Sequence, residues 1–139
     1  MKFSLIIYSS PQDQLAYQTP FRYAQTLLEQ GHELYRVFFY GDGVHTCADG
    51  SLESHSAELT GAGSQWADLA HKHDLDMVVC VTAALERGIA REEKLDHPAC
   101  DGNQQSKTEI RGILDGFQLS GLGQLVDAMA NSDRTITFR

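Results

Sequence analysis

Residues 76–81, Asp-Met-Val-Val-Cys-Val, place five apolar side chains in a row with no alternation. A strand with one wet face alternates, whereas an unbroken apolar run needs cover on both faces. Such a run belongs inside a parallel sheet sandwiched by helices. Residues 3–8 (FSLIIY) and 33–40 (ELYRVFFY) have the same aromatic and branched character, and residues 116–119 (GFQL) and 134–138 (RTITF) are shorter strand candidates.

Helical patterns separate these strands. Thr19 can cap a first helix with Pro20 in its first position and Gly31 at its end. Phe21, Ala24, Leu27 and Leu28 share one face of it. A second helix runs near 65–73 with Trp66, Leu69 and Ala70 on one face. Thr82 can cap a short helix ending at Gly88, and Thr108 can cap one or two turns carrying Ile110, Ile113 and Leu114. Ser120 can cap a last helix in which Leu122, Leu125, Val126 and Met129 recur at helical spacing. Residues 41–64 and 91–107 are polar excursions with no sustained period. Five strands alternating with helices predict one α/β domain over residues 1–139, with a parallel sheet and helices on both faces.

In open sheets of this kind, sites gather beyond the carboxyl ends of the strands. Those ends are residues 9–11, 40–44, 80–82 and 120–123. Cys80 is among them. A cysteine in a buried strand is often an inert small hydrophobe. At a strand-to-helix boundary, however, its thiol faces free backbone N–H groups and the positive end of a helix, both of which favour a thiolate.

The chain has 139 residues, room for one domain with a real core. Its formal net charge of −8, with no basic run to offset it, disfavours direct contact with nucleic acid or anionic membranes. The apolar stretch at the N-terminus is too short for a membrane span and lacks the features of a secretory signal. Three widely spaced cysteines, Cys47, Cys80 and Cys100, argue against a disulfide framework and fit a cytoplasmic location.

The remaining motifs are weaker. His45 and Cys47 lack further ligands at a recognised zinc spacing, so no metal is expected. Cys100 reads as an unpaired thiol or as a resolving partner of Cys80. The SGLG stretch at 120–123 can cradle an anion, but glycines that let a helix pack close to a sheet are the better account of it. The run Arg91-Glu92-Glu93-Lys94 reads as a solvated face.

Three stretches taken together, GHELYRVFFYGDGV (31–44), LDMVVCVTAALERGI (75–89) and FQLSGLGQLVDA (117–128), resemble the DsrE/TusD family of sulfurtransferase subunits. The start at MKF and the end at DRTITF fit as well. The resemblance implies a three-layer α/β/α sandwich on a five-stranded parallel sheet. It implies a persulfide carrier whose active cysteine matches Cys80, with no cofactor. It also implies company: TusB-like and TusC-like subunits in a heterohexamer, a TusA-like donor and a TusE-like acceptor, feeding 2-thiolation of wobble uridine in tRNA. The other branch pairs DsrE with DsrF-like and DsrH-like subunits and a DsrC-like exchange partner in sulfur oxidation. Two readings from other classes stay open: a non-catalytic scaffold subunit with Cys80 buried, and a redox sensor using Cys80 with Cys100. Cys47 and Cys100 match no motif of the family.

Overall fold

The computed structural model describes residues 1–52, 60–95 and 107–139. Its centre is a five-stranded parallel sheet of β1 (Lys2–Ile7), β2 (Glu33–Phe39), β3 (Met77–Cys80), β6 (Gln118–Ser120) and β7 (Arg134–Phe138), in spatial order β6-β3-β2-β1-β7. The helices are α1 (Gln14–Glu29), α2 (Thr60–His73), α3 (Val81–Glu86) and α4 (Leu122–Asn131). From β1 the chain steps to β2, β3 and β6 in one direction. It then returns across the whole sheet through α4 to place β7 beside β1.

Side chains on successive strand residues point to opposite faces. Phe39 of β2 meets Trp66 of α2, and Trp66 in turn meets Phe21 of α1, both edge-on. Arg36, three residues earlier, reaches the other way to Asp127 and the Gln124 carbonyl of α4. So α1 and α2 cover one face and α4 the other, the three layers expected. The register from Phe3↔Leu34 to Ser4↔Arg36 leaves Tyr35 as an extra residue in β2. This bulge sends Leu34 and Arg36 to opposite faces; without it they would share one. Val37, Phe38, Phe39, Val78 and Val79 are fully or almost fully buried, as the unbroken apolar runs require.

Four local expectations change. Helix α1 starts earlier, capped by the Asp13 carboxylate rather than Thr19, and Pro20 lies inside it. Thr19 instead donates its hydroxyl back to the Leu15 carbonyl. Gly31 ends the helix as expected, with φ of +75°, a conformation glycine adopts without strain. The first polar excursion opens with a tight 3-10 stretch, Gly41–Cys47, whose Val44, Thr46 and Cys47 are buried, so it is not merely a surface loop. The region around Thr108 is not helical. Lys107–Arg111 forms β5, antiparallel to β4 (Arg91–Leu95), and the charged run sits in this hairpin. Gly121, not Ser120, occupies the N-cap of α4.

Helix α4 also turns its predicted apolar face outward. Ala128 is fully buried against the sheet and Leu125 partly so, whereas Leu122, Val126 and Met129 are 49%, 65% and 56% exposed. Its inner face is fixed by charge: Arg36 pairs with Asp76 and Asp127 at 2.7 Å each, and the Tyr35 hydroxyl also donates to Asp127. Among the described residues, no helix is long and apolar enough to cross a membrane.

Candidate functional site

The local sequence around Cys80 makes a sharp junction. Met77–Cys80 pairs with β2 on one side and β6 on the other, Cys80 standing opposite Ser120. The next residue already begins α3. Cys80 is therefore the N-cap residue, with φ −63° and ψ 113°, and its side chain makes no capping hydrogen bond. The expected cap at Thr82 moves back by two positions, and the thiol itself stands at the junction.

Cys80 is 2% exposed, yet it lines a cavity of about 700 Å³ at the carboxyl ends of the strands. Each neighbouring strand end contributes to the wall. Tyr8 follows β1, Tyr40 through Asp42 follow β2, Thr82 through Arg87 come from α3 and its end, Leu122 opens α4, and Arg139 follows β7. The Tyr8 and Tyr40 rings meet at 5.2 Å, nearly edge-on, and the Arg139 guanidinium lies 5.8 Å from the Tyr8 ring centroid. Arg87 donates from Nε to Asp42 Oδ1 at 3.0 Å and from Nη1 to the Ala83 carbonyl at 3.5 Å. This ion pair ties α3 to the turn after β2, on either side of the thiol.

The other cysteines stand apart. Cys47 is completely buried in the core, and burial pushes its thiol well above the usual range. It does not line the cavity. Cys100 lies outside the described residues. Among the described residues, no group of three His, Cys, Asp or Glu side chains is placed to hold a metal ion. Chemically, the site presents one thiol among the described residues, lining a mixed polar and aromatic cavity that a small reactant can enter.

The three stretches singled out in the sequence meet here, through Tyr40–Asp42, Cys80–Arg87 and Leu122. Asp42 falls within the strand end at 40–44 that the sequence pointed to, whereas the wall residues Tyr8, Glu86, Arg87 and Arg139 were not legible as site residues. Asp42, Glu86 and Arg87 at least lie inside those stretches; Tyr8 and Arg139 carry no local signal.

The model of the DsrE/DsrF-like family matches residues 1–138. The chain belongs to this family. It is 39% identical over 138 residues to a protein named putative sulfurtransferase DsrE from Allochromatium vinosum, covering 99% of this chain and 98% of that one. It is 34% identical over 139 residues to a sulfurtransferase TusD homolog from Vibrio parahaemolyticus, again covering 99% and 98%. A further TusD homolog, from Pseudomonas aeruginosa, is 33% identical. Among solved structures, the ychN protein from E. coli superposes with a TM-score of 0.67, covering 99% of each chain at 18% identity, which shows a shared fold. With full-length relatives of this kind, the DsrE/DsrF-like chain is a sulfurtransferase.

Proposed function

We propose that this sulfurtransferase carries sulfane sulfur as a persulfide on Cys80 and relays it between protein thiols. The observation that carries the reading is the placement of Cys80 at the β3–α3 junction, on the floor of the cavity that the strand ends enclose. In loading, the Cys80 thiolate attacks the outer sulfur of a donor persulfide; the donor's S–S bond breaks and its thiolate leaves. In unloading, an acceptor thiolate attacks the outer sulfur of the Cys80 persulfide and restores the thiol. No net oxidation or reduction occurs, and no cofactor is needed.

The pathway we propose is 2-thiolation of wobble uridine in tRNA, with TusB-like and TusC-like partner subunits, a TusA-like donor and a TusE-like acceptor in the cytoplasm. The net charge of −8 fits a subunit that hands sulfur to proteins and leaves tRNA to a later component. A second reading, a DsrE-type role in sulfur oxidation with DsrF-like, DsrH-like and DsrC-like partners, is favoured by the higher identity to the Allochromatium protein.

Intact-mass measurement after exposure to a persulfide donor tests the carrier. The wild type gains one sulfur and Cys80→Ser does not; an unmodified wild type overturns the reading and leaves a scaffold. Deleting the gene and measuring thiolated wobble uridine tests the pathway. Unchanged thiolation overturns the tRNA role.

A further inference from the structure

We propose that the Cys80 cavity takes sulfur directly from a low-molecular-weight zwitterionic persulfide of the amino-acid class, so that the protein can be charged without a protein donor. This rests on the reading of Cys80 as persulfide carrier and adds a substrate to it.

Access is the first reason. Cys80 is 2% exposed and is approached through the cavity. A thiol on the surface of a folded partner cannot touch it without entering. The volume of about 700 Å³ lies within the range of small-molecule sites.

Charge is the second. Arg87 and Asp42 neutralise one another across the wall. Glu86 and Arg139 line the same cavity, and neither head group forms an ion pair or hydrogen bond among the described residues. Arg139 is held over the Tyr8 ring, which leaves its planar N–H edge available to a carboxylate. A cation and an anion with no ion-pair partner among the described residues, both lining the cavity of a thiol, complement a ligand bearing both an ammonium and a carboxylate. Inorganic polysulfide, all negative, would satisfy only Arg139, and a neutral persulfide neither. The transfer balances: the Cys80 thiolate attacks the outer sulfur of R–S–SH, the donor S–S bond breaks, Cys80–S–SH forms and R–S⁻ departs.

The experiment compares four donors by intact mass: cysteine persulfide, its N-acetyl form, its methyl ester and the doubly blocked form. Each rate is divided by that donor's rate toward a small free thiol, which removes intrinsic reactivity. The expected result is about a fivefold preference for cysteine persulfide over the doubly blocked donor, as two solvent-exposed charge contacts allow. Glu86→Gln should abolish the part of this preference that depends on the free amine. Arg139→Gln should abolish the part that depends on the free carboxylate. A substitution of Lys72 on α2, away from the cavity, should leave the ratio unchanged. Equal normalised rates for all four donors overturn the zwitterion assignment while leaving Cys80 a carrier. If every small donor fails while a protein-bound persulfide still loads Cys80, the small-donor proposal is overturned and the carrier reading stands; if the protein-bound persulfide fails too, the carrier reading falls as well.

Discussion

The Ser9 hydroxyl donates at 3.2 Å to the carbonyl of Ala16, the acceptor in α1 that Pro20, lacking an N–H, leaves without its usual donor. This contact makes a proline tolerable inside a 16-residue helix, and it ties the end of β1 to the helix that follows. Ser9→Ala should cost about 1 kcal/mol in denaturant unfolding. In a Pro20→Ala background the restored N–H serves Ala16, so the same change should cost less. A double-mutant cycle with no coupling would rule this role out.

Two glycines of α2 should respond in opposite ways. A Cβ on Gly63 would collide with the Thr46 carbonyl and the Leu114 side chain, whereas one on Gly61 meets nothing among the described residues. Gly61→Ala should stabilise by up to about 1 kcal/mol through helix propensity. Gly63→Ala should destabilise, because backbone has to move. Thermal unfolding of both variants gives the comparison.

Asp127 makes stability depend on acid. The Tyr35 hydroxyl first, and the Arg36 guanidinium with it, hold its carboxyl below the usual range despite some desolvation. The folded value is thus lower than the unfolded one. The contribution is full above the ordinary carboxylate value of about 4 and fades as pH falls through the folded value. Asp127→Asn should therefore be less stable than wild type at pH 7, and the difference should shrink on acidification. A gap that stays constant between pH 7 and pH 3 contradicts this.

Cys47 should stay unmodified when the native protein is alkylated, since burial keeps its thiol protonated and out of reach. Cys80, which lines the cavity, should label before Cys47. Peptide mapping before and after denaturation separates the two sites.

The orientation of α4 is open to a simple check. Val126→Gln, at a 65% exposed site, should shift stability by less than about 0.5 kcal/mol. Ala128→Leu, at a fully buried site against the sheet, should cost about 1–3 kcal/mol from overpacking. Chemical denaturation of the two variants reads both; reversed sensitivities would place the opposite face inward.

The interior strands and the position of Cys80 at a strand end were legible because an unbroken apolar run is stable only where both of its faces are covered. The start of α1 was not, since Thr19-Pro20 is a good local start signal and only the distant Ser9 makes a later proline tolerable. Thr108 to Arg111 pairs with Arg91 to Lys94, a partnership across the chain that helical periodicity cannot register. The outward turn of α4 was hidden for a related reason. A helical apolar stripe says that one side differs from the other, while Arg36, ninety-one positions from Asp127, decides which side meets the sheet. The cavity wall was legible where the strand ends at 40–44, 80–82 and 120–123 supply it, and not at Tyr8, Glu86, Arg87 and Arg139, which only the folded sheet brings beside Cys80.

Helix α4 joins the two outermost strands of the sheet, and it is clamped mainly by polar contacts: Arg36 to Asp127 and Gln124, and Ser4 to Ser132 just beyond its end. Helices held this way release at lower free energy than those seated on apolar cores. Release of α4 would withdraw Leu122 from the cavity, while β6 would stay paired to β3, with Ser120 beside Cys80. The cavity thus borrows part of its wall from a helix whose seat on the sheet is largely polar. Hydrogen exchange along α4 would report how often that part of the cavity wall opens.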